Sequence, residues 1–455
     1  MNLKVDSRKV VKGDTFLALP GVSMDGHDYI ESAIKNGAVK IIAEHGSYSV
    51  ETQIVPSTRE YLAEYLKGYY KSIRDKMKII GITGTNGKTT TAYLTYQAFW
   101  HLGIKAAYIG TVGFFIKERL KYSINTTPDI YDLYQMMEEA YNEGCSVFIM
   151  EVSSQGIGYG RVKGLEFDMS LFTNLTQDHL DYHKTMENYA NAKKQLFIQT
   201  KDGCPAIINI DDKYKDYFII PKNKNISYGY NTCDYQILSY DMSLKGTYFK
   251  VKYEGKVYDF YTPLYASYNI NNVLGCIIIL HEYGFSFDEI NESLPHLKAP
   301  DGRMDTVSFK GNSIIVDYAH TPDAFEKLFT TIKELKAKHV YTVFGCDGSR
   351  DKGKRPIMGN LATLNSDYCI ITNGGPRDEE PCEIIKDIII DLKQTNYEII
   401  MDRGLAIYKG INLLDKDDIL LILGQGHEEF LIVKDKKVPF KDKDVVLDIL
   451  NKYYK

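Results

Sequence analysis

A glycine-rich turn between an apolar segment and a helical segment contains residue types that bind phosphate. Residues 78–83 are mostly apolar, residues 84–90 read Gly-Thr-Asn-Gly-Lys-Thr-Thr, and a helical pattern follows. Glycine permits a tight turn with inward-pointing N–H groups, and the N-terminus of the next helix adds partial positive charge. Lys88 can reach the β- and γ-phosphates of a nucleotide, and the Thr89 hydroxyl can bind Mg²⁺. The segment therefore predicts a phosphate-binding loop, although Ile82 stands where the common G-x-x-x-x-G-K-T pattern begins with glycine.

Carboxylate, hydroxyl and imidazole groups follow two more apolar segments. Glu151 and Ser153 come directly after residues 147–150. Residues 174–183, with two aspartates and two histidines, follow a second apolar segment. Open parallel sheets collect ligands at the carboxyl ends of their strands, and glutamate is a suitable Mg²⁺ ligand. Glu151 could instead be a solvated loop residue, whereas the segment 174–183 is a candidate for catalysis.

Three further polar residues lie in predicted helices. Lys193 lies fourteen residues after His179, in a segment that reads as the start of a helix, where a lysine is typical of a solvated surface. Asn269 and Asn272 are three residues apart, which puts them on one face of a helix. Their amides could hydrogen-bond the edge of a base, or Ser267 or Asn269 could cap the helix.

The C-terminal third contains several glycine-rich loops with charged residues. They occupy residues 345–355, 374–377 and 424–428, and another polar segment at 317–324 follows an apolar run. Arginines in such loops suit the bidentate binding of a carboxylate or a phosphate. Any one of these loops could instead be an ordinary surface turn.

The alternation of apolar and helical segments predicts an α/β protein with three domains. Residues 1–75 form a small N-terminal α/β unit, and residues 76–301 form a central phosphate-loop domain with a doubly wound parallel sheet. Residues 235–262 alternate between apolar and polar side chains, which predicts an appended β-hairpin. Residues 302–455 repeat the strand and helix alternation of a Rossmann-like domain without a phosphate loop of its own.

Composition excludes several classes of partner. The net charge is -5, from 55 basic and 60 acidic residues, so the chain has no field suited to a nucleic-acid backbone. The seven cysteines are scattered, which is typical of reduced thiols. The N-terminus lacks the apolar core of a signal peptide, and no apolar run approaches the length of a membrane span. We therefore expect a cytoplasmic protein that binds no nucleic acid and does not insert into membranes. We also expect it to be a monomer.

These motifs together resemble the ATP-dependent Mur ligases of peptidoglycan synthesis, and most closely the MurE group. The resemblance runs from Asp6 to the C-terminus. It rests on ordered motifs at residues 6–8, 83–89, 125–128, 151–154, 178–181, 189–193, 302–304, 317–324, 350–356 and 426–428.

The family's reaction agrees with the residue types described above. The resemblance implies that ATP phosphorylates the terminal carboxylate of a UDP-MurNAc-dipeptide, and that the amine of a free amino acid then attacks the acyl phosphate. An unactivated carboxylate does not form an amide at neutral pH, so the loop and Mg²⁺ must stabilise phosphoryl transfer. ATP and Mg²⁺ are the expected cofactors.

The resemblance also assigns roles to individual residues. Catalysis is assigned to Lys88, Glu151, His179 and Lys193. Metal coordination is assigned to Thr89, Glu151, His179 and a carbamylated Lys193. ATP binding is assigned to Gly84, Thr85, Asn86, Gly87, Lys88, Thr89, Thr90, Asn269, Asn272, Arg303 and Asp317. The UDP-MurNAc-peptide is assigned to Ser7, Thr126, Thr127, Ser153 and Arg161. The incoming amino acid is assigned to Arg350, Gly375, Arg377, Gly424 and Glu428.

Departures from the family pattern concern the incoming amino acid. Members that add meso-diaminopimelate usually carry Asp-Asn-Pro-Arg where this chain has Gly374, Gly375, Pro376 and Arg377. Lysine-adding members typically lack that arginine, so this chain fits neither pattern. The retained arginine favours diaminopimelate or a similar diamino acid, with lysine as the alternative. Two other readings stay open, a folylpolyglutamate-type or other Mur ligase and an ATP-gated regulatory protein.

Overall fold

The computed structural model describes residues 2–21, 24–121 and 125–454. Their contacts divide the chain into two compact units. The first unit contains residues 1–236 and 275–286, and the second contains residues 237–274 and 287–455. Within the described ranges, no helix is both long enough and apolar enough to cross a membrane. The division into three domains stays a prediction, while the mixed α/β class is confirmed.

The first unit begins with a small α/β layer, as its sequence pattern predicts. Its parallel sheet has the order β1 (Leu3–Lys4), β2 (Thr15–Leu17), β3 (Lys40–Ala43) and β4 (Glu51–Ile54). Its helices are α1 (Ile30–Lys35), α2 (Thr58–Tyr69) and α3 (Lys71–Arg74). Ser57 caps α2 by accepting a hydrogen bond from Glu60 N, and Leu62 and Leu66 are buried on the inner face of this helix.

The larger sheet of the first unit carries the phosphate loop near its centre. Its strands, in chain order, are β5 (Lys78–Thr83), β6 (Ala106–Gly110), β7 (Gly113–Ile116), β8 (Glu118–Lys121), β9 (Val147–Glu151), β10 (Met169–Phe172), β11 (Pro205–Asn209) and β12 (Lys224–Gly229). Their order across the sheet is β12-β11-β10-β5-β9-β6-β7-β8. The first six strands in this order, from β12 across to β6, are parallel. The pairings of β7 with β6 and with β8 are antiparallel, so the predicted parallel sheet is in fact mixed.

Helices of the first unit cover this sheet, because its strands are apolar on both faces. They are α4 (Lys88–His101), α5 (Ile130–Asn142), α6 (Ser154–Gly158), α7 (Leu180–His183) and α8 (Met186–Ile198). The strands β5 and β9 are almost entirely buried. Both facts are typical of an α/β sheet with helices on each side.

Strands and one helix follow at the boundary between the units. They are β13 (Tyr235–Ser243), β14 (Gly246–Tyr253), β15 (Lys256–Thr262) and α9 (Ser267–Tyr283). The strands β14 and β15 form the predicted antiparallel hairpin. Its turn uses Glu254 at φ 47° and Gly255 at φ 77°, the left-handed conformations that a two-residue hairpin turn requires.

The second unit contains a six-stranded sheet. Its strands are β16 (Asp305–Phe309), β17 (Asn312–Asp317), β18 (Val340–Phe344), β19 (Tyr368–Ile371), β20 (Tyr397–Ile399) and β21 (Ile419–Leu423), in the order β16-β17-β21-β18-β19-β20. All neighbours are parallel except β16 and β17. The expected Rossmann-like sheet is present, with an antiparallel edge strand.

Helices and a second hairpin complete the second unit. The helices are α10 (Phe287–Ser293), α11 (Pro322–Glu334), α12 (Lys354–Asn365), α13 (Pro381–Ile389), α14 (Arg403–Leu413) and α15 (Asp442–Tyr453), and the hairpin consists of β22 (Phe430–Val433) and β23 (Lys436–Pro439). The apolar side chains form two buried clusters, which contain Phe344 and Val343 respectively. Because neighbouring residues of a strand point to opposite faces, these clusters lie on the two faces of the sheet.

Candidate functional site

The turn between β5 and α4 requires glycine at two positions. Gly84 has φ 151°, and a Cβ atom there would collide with the hydroxyl of Thr173. Gly87 has φ 85° and directly precedes the first residue of α4. Both values lie in the region that residues with a Cβ atom rarely adopt. The chain therefore turns sharply onto the helix N-terminus, as expected for an anion-binding loop.

Hydrogen bonds to the segment after β10 hold this loop in place. Thr85 N donates to Asn174 O (2.8 Å), and Asn86 N donates to Asn174 Oδ1 (3.0 Å). The hydroxyl of Thr85 lies 3.2 Å from the hydroxyl of Tyr189 on α8. Thr90, in the first turn of α4, is buried. The loop is thus fixed by its neighbours in the first unit before any ligand binds.

Two lysine side chains meet at one carbonyl oxygen of the loop. Lys88 Nζ donates to Gly84 O (2.9 Å) and Thr85 O (2.8 Å), and Lys193 Nζ donates to Gly84 O (2.6 Å). Lys193 is only 1% exposed. Burial lowers the pKa of Lys193 well below its usual value, and the charge of Lys88 adds to this effect while Asp178 opposes it. Its amine is therefore more readily neutral, and more nucleophilic, than that of an exposed lysine.

The surface position that Lys193 suggests when taken alone is wrong. Helix α8 begins at Met186, so Lys193 lies in its middle and not in its first turn. The side chain points along the buried face with Tyr189, whose ring centroid lies 4.5 Å from Nζ. Helical spacing of four residues puts the two side chains on one face.

Glu151, at the end of β9, is fully buried, so the reading as a solvated loop residue is also wrong. Its Oε1 accepts hydrogen bonds from Tyr108 Oη (2.6 Å) and Thr111 N (2.8 Å). Its Oε2 accepts from Thr89 Oγ1 (2.9 Å) and Thr111 Oγ1 (3.2 Å). Burial raises the pKa of Tyr108 well above its usual value, with Glu151 adding, so this phenol stays a donor. Neither Tyr108 nor Thr111 is marked by the sequence pattern.

The residues beside Glu151 fit a magnesium ion. Thr89 Oγ1 and Glu151 Oε2 lie 2.9 Å apart, next to the loop that would hold the phosphates. A hydroxyl and a carboxylate are hard oxygen ligands, and Mg²⁺ completes its shell with phosphate oxygens and water. The arrangement can therefore hold a nucleotide triphosphate and its metal at one place.

Four of the residues assigned to the peptide substrate lie in one hydrogen-bonded group. Thr127 Oγ1 lies 3.0 Å from Ser153 Oγ, and Arg161 Nη1 donates to Thr127 O (3.1 Å). Thr126 Oγ1 lies 3.1 Å from Thr111 Oγ1, which itself contacts Glu151. The structure thus joins these four residues to the carboxylate beside the phosphate loop.

Ser7 lies apart from that group in the small N-terminal layer. It begins a short 3₁₀ helix, Ser7–Lys9, whose first turn is capped by Asp6. Ser7 is 6% exposed, and its carbonyl oxygen accepts a hydrogen bond from Asn36 Nδ2 (2.9 Å). Its role in substrate binding stays a prediction.

His179 has an unusual backbone conformation just before α7. Its φ is 52°, its N–H donates to Asp178 Oδ1 (2.8 Å), and its Nε2 lies 3.4 Å from Asp178 Oδ2. The ring is 43% exposed. Over the described part of the chain, no three histidine, cysteine, aspartate or glutamate side chains are grouped to hold a metal. Metal coordination by His179 stays a prediction.

Asn269 and Asn272 in the second unit are buried and bonded to each other. Asn272 Nδ2 donates to Asn269 Oδ1 (3.0 Å), and Asn269 Nδ2 donates to Tyr265 O (2.8 Å). The three-residue spacing does put them on one helix face. Because α9 begins at Ser267, Asn269 lies inside the helix and is not its cap. Contact with a base stays a prediction.

Arg303 and Asp317 lie together at one end of β17. Asp317 accepts hydrogen bonds from Met304 N (2.7 Å) and Ala319 N (2.8 Å). Burial raises the pKa of Asp317, and the positive charge of Arg303 opposes the rise. The guanidinium of Arg303 lies 4.8 Å from the centre of the Tyr318 ring, at a distance typical of a cation–π contact.

Two of the glycine-rich loops of the second unit lie against each other. Gly348 N donates to Gly375 O (2.9 Å), and Asp347 pairs with Gly375 in a parallel bridge. A Cβ atom at Gly348 would collide with the carbonyl oxygen of Pro376. The glycines therefore allow a close backbone approach that a larger residue would prevent.

The charged residues assigned to the amino acid also lie at these loops. Arg377 Nη2 lies 3.5 Å from Asp347 Oδ2. Partial desolvation raises the pKa of Glu428, the negative charge of Asp347 adds to the rise, and Arg377 opposes it. Gly424, with φ 108°, donates its N–H to Asp317 O, and Arg350 is exposed on the first loop. Asp347 is an additional member that the sequence pattern does not identify.

Arg355 also has no predicted role, and it fixes the loop at residues 345–355. Its side chain is 0% exposed and donates two hydrogen bonds of 2.9 Å to Glu379 and one of 2.7 Å to Asp387. It also donates to Asp347 O (3.0 Å). The Arg355 guanidinium lowers the pKa of Glu379 to about 2. A signal for this anchor exists only in the Arg-Asp-Lys-Gly-Lys-Arg run of residues 350–355.

Three family models match successive parts of the chain. The Mur ligase family catalytic domain matches residues 1–71, the Mur ligase middle domain matches residues 82–280, and the Mur ligase glutamate ligase domain matches residues 302–426. These matches include the phosphate loop and the loops at residues 345–355 and 374–377, and the last match ends within the loop at residues 424–428.

Similar proteins extend over the whole chain. The UDP-N-acetylmuramoyl-L-alanyl-D-glutamate–2,6-diaminopimelate ligase of Clostridium tetani is 37% identical and covers 100% of this chain and 95% of its own length. The protein of the same name from Clostridium perfringens is 39% identical, with coverages of 99% and 94%. A solved structure of such a ligase has a TM-score of 0.75 and 31% identity, and covers 100% of this chain and 95% of its own. Thermotoga maritima MurF ligase in complex with ADP shares the fold, with a TM-score of 0.68, 18% identity, and coverages of 99% and 97%.

Proposed function

Because the chain belongs to the Mur ligase family, we propose that it is an ATP-dependent ligase that adds 2,6-diaminopimelate to UDP-MurNAc-L-Ala-D-Glu. In the first step a carboxylate oxygen of the peptide attacks the γ-phosphorus of ATP, and ADP leaves. In the second step the amine of the amino acid attacks the acyl carbon, phosphate leaves, and the amine releases a proton. The products are an amide, ADP and phosphate.

The observation that carries this proposal is the meeting of Lys88 and Lys193 at Gly84 O, beside Glu151 and Thr89. The loop N–H groups and the N-terminus of α4 attract the triphosphate. Lys88 then exchanges carbonyl oxygens for phosphate oxygens, whose negative charge binds the ammonium more strongly. Mg²⁺, when bound, neutralises charge on the phosphates as the γ-phosphoryl group moves.

Lys193 takes part, in this proposal, after reaction with carbon dioxide. The neutral Nζ forms a bond to the carbon of CO₂ and releases a proton, which leaves a carbamate anion. The lowered pKa of Lys193 favours the neutral amine that this step needs. The carbamate adds negatively charged oxygen ligands where an ammonium has none. Thr89, Glu151, His179 and the carbamate of Lys193 are the proposed residues around the metal.

Residues of the two units divide the remaining substrates between them in this proposal. In the first unit, Thr126, Thr127, Ser153 and Arg161 hold the peptide substrate, together with Ser7. In the second unit, Asn269, Asn272, Arg303 and Asp317 contact the nucleotide. The amino acid contacts Arg350, Gly375, Arg377, Gly424 and Glu428. Arg377 supports a substrate with a second carboxylate, such as 2,6-diaminopimelate, over lysine.

The test is a reaction of the purified chain with ATP, Mg²⁺, UDP-MurNAc-L-Ala-D-Glu and one amino acid at a time. We expect phosphate release and a tripeptide product, detected by mass spectrometry, with 2,6-diaminopimelate as the preferred amino acid. Loss of ATP without a ligated product would instead support a regulatory ATPase. Ligation of lysine alone would contradict the proposed substrate. Monomeric state and cytoplasmic location stay predictions from the sequence.

A further inference from the structure

A carboxylate and an amide occupy the space beside Gly375. A Cβ atom on Gly375 would lie 3.2 Å from Asp347 Oδ1 and 3.7 Å from Gln425 Nε2. The first distance is shorter than ordinary van der Waals contact, so a longer side chain at this position would displace the Asp347 carboxylate. The backbone of Gly375 does not have a positive φ, so glycine is not required there for its conformation. The side chains of Asp347 and Gln425, from neighbouring loops, fill the space beside Gly375.

Both groups are held in place by the surrounding loops. Gln425 is 5% exposed, and its Nε2 donates to Gly374 O (2.5 Å) and lies 3.4 Å from Asp347 Oδ1. The backbone of Asp347 accepts the hydrogen bond from the fully buried Arg355. The side chain of Asp347 nevertheless remains 35% exposed. Asp347 is thus fixed through its backbone while its carboxylate can reach a ligand.

The charges around Asp347 match an amino acid zwitterion. Arg377 supplies one guanidinium, 3.5 Å from the Asp347 carboxylate, and its Nε is buried without a hydrogen-bond partner among the described residues. Glu428 supplies a second carboxylate on the neighbouring loop: its N–H donates to Gln425 O (2.9 Å), and Gln425 Nε2 lies 3.4 Å from Asp347 Oδ1. A guanidinium suits a carboxylate, and two carboxylates suit an ammonium.

We propose that Asp347 is a specificity-determining residue that, with Glu428, binds the far ammonium group of the incoming amino acid while Arg377 takes the adjacent carboxylate. The proposal rests on the function proposed above and deepens it. The substrate class that this site would select carries a second ammonium and a second carboxylate at its far end. Without that ligand, Asp347 compensates the charge of Arg377.

The first test compares two amino acids that differ only in the far amine. They are 2,6-diaminopimelate and 2-aminopimelate. The test variant is Asp347→Asn. The control is Asp378→Asn, which changes an exposed carboxylate on the next loop. We expect Asp347→Asn to lower kcat/KM for diaminopimelate about tenfold, because a charge-assisted hydrogen bond is lost. The loss should appear as a higher KM. The value for 2-aminopimelate should stay within about twofold, or rise, because Arg377 loses a competing carboxylate. The control should keep the wild-type preference.

A double-mutant cycle tests the shared space at position 375. We expect Gly375→Asn alone to raise KM for diaminopimelate about tenfold, because its side chain displaces Asp347. In the Asp347→Gly background the same change should raise KM by less than about threefold, because the space is then free. Circular dichroism would verify that each variant is folded.

The outcomes separate this inference from the proposed function. An Asp347→Asn enzyme with the wild-type ratio between the two amino acids would overturn the role of Asp347 and leave the ligase function intact. Additive effects in the cycle would likewise contradict the shared space. A wild-type protein that ligates neither amino acid would overturn the proposed function and this inference together.

Discussion

The phosphate loop of the first unit and the paired loops at residues 345–350 and 374–377 of the second unit hold positive charge in different ways. Lys88 donates to a backbone carbonyl oxygen of the turn, whereas Arg377 lies beside the carboxylate of Asp347. The carbonyl carries no net charge, so the first region keeps a positive charge for an anion. The second region is compensated, so it suits a ligand that carries both signs.

The two regions also differ in how the chain assembles them. Lys88 bonds to residues three and four positions before it, within one turn of chain. The second region combines residues from the loops at 345–350, 374–377 and 424–428, which follow three different strands. A site made within one segment depends on a few residues, whereas a site made from three loops depends on the buried anchors that align them. The predictions below test each dependence.

Replacing Lys193 tests the first region and should have the largest effect. We expect Lys193→Ala to reduce ligation about a thousandfold or more, because the carbamate proposed to contribute to the metal site is lost. Formate or acetate should partly restore activity by supplying a carboxylate. Phosphate release and mass spectrometry of the product measure both effects. The control is Lys194→Ala, and near-wild-type activity of the Lys193 variant would remove this residue from the mechanism.

Replacing Arg355 tests the anchor of the second region. We expect Arg355→Ala to lower the free energy of unfolding by about 2–3 kcal/mol, because it removes charge-assisted hydrogen bonds from a fully buried guanidinium to the partly exposed carboxylates of Glu379 and Asp387. Urea unfolding followed by circular dichroism measures this. Lys352 contacts the same Glu379 carboxylate at 3.2 Å but is 65% exposed, so Lys352→Ala should cost only about 1 kcal/mol or less. Equal effects of the two variants would contradict a special role for the buried arginine.

The ion pair between Arg355 and Glu379 predicts that the stability of the fold depends on pH. The pKa of Glu379 is lowered from 4.5 to about 2 in the folded protein, so the unfolded chain binds the proton more tightly. The stabilisation is therefore complete above the unfolded value and is lost as the pH falls from 4.5 towards 2. The stability difference between wild type and Arg355→Ala should shrink over that window. A constant difference would argue against this ion pair.

Replacing Tyr108 tests how firmly Glu151 must be held. We expect Tyr108→Phe to lower kcat about tenfold with little change in the KM of the amino acid, because a hydrogen bond to a charged group is lost. Steady-state kinetics measure this split. The matched control is Tyr134→Phe, since the Tyr134 hydroxyl is buried without a hydrogen-bond partner in the described part of the first unit. Equal losses in both variants would indicate a general packing effect.

Acidification tests the second region and should have the smallest effect. The raised pKa of Glu428 means that protonation begins at a higher pH than for an ordinary glutamate. We expect the KM for diaminopimelate to rise a few-fold as the pH falls towards that pKa, because the carboxylate proposed to bind the ammonium becomes neutral. Glu428→Gln should abolish this dependence, and Asp347→Asn should shift it to lower pH. An unchanged profile in Glu428→Gln would assign the effect to another group.

The elements that the sequence predicts well are apolar or strongly periodic. The strand and helix around the phosphate loop, the hairpin within residues 235–262, and the sheet of the second unit are present as expected. The strand at Glu51–Ile54 and the antiparallel strands β7 and β8 have no predicted counterpart. The first is only half-buried, so its side chains lack the apolar pattern on which the prediction depends.

The site residues likewise divide into those that the local sequence identifies and those that it does not. Gly84, Gly87, Lys88 and Thr89 are identifiable because their roles follow from local backbone geometry. Lys193 is not, because a helix lysine has the same sequence pattern whether it faces water or the protein interior. Tyr108 and Asp347 act on partners more than 25 residues away, at Glu151 and Arg377. These contacts form only once the fold brings distant strands and loops together, so the local sequence does not reveal them.

The amino-acid sequence by itself determined the phosphate loop, the α/β class and the order of the elements, because these depend on contacts between near neighbours and on the periodicity of burial. Only the tertiary structure decided that Lys193 is buried against Gly84, that Tyr108 and Thr111 hold Glu151, and that Asp347 fills the space beside Gly375. These features depend on which strands and loops become adjacent, and adjacency is set by packing of the whole sheet.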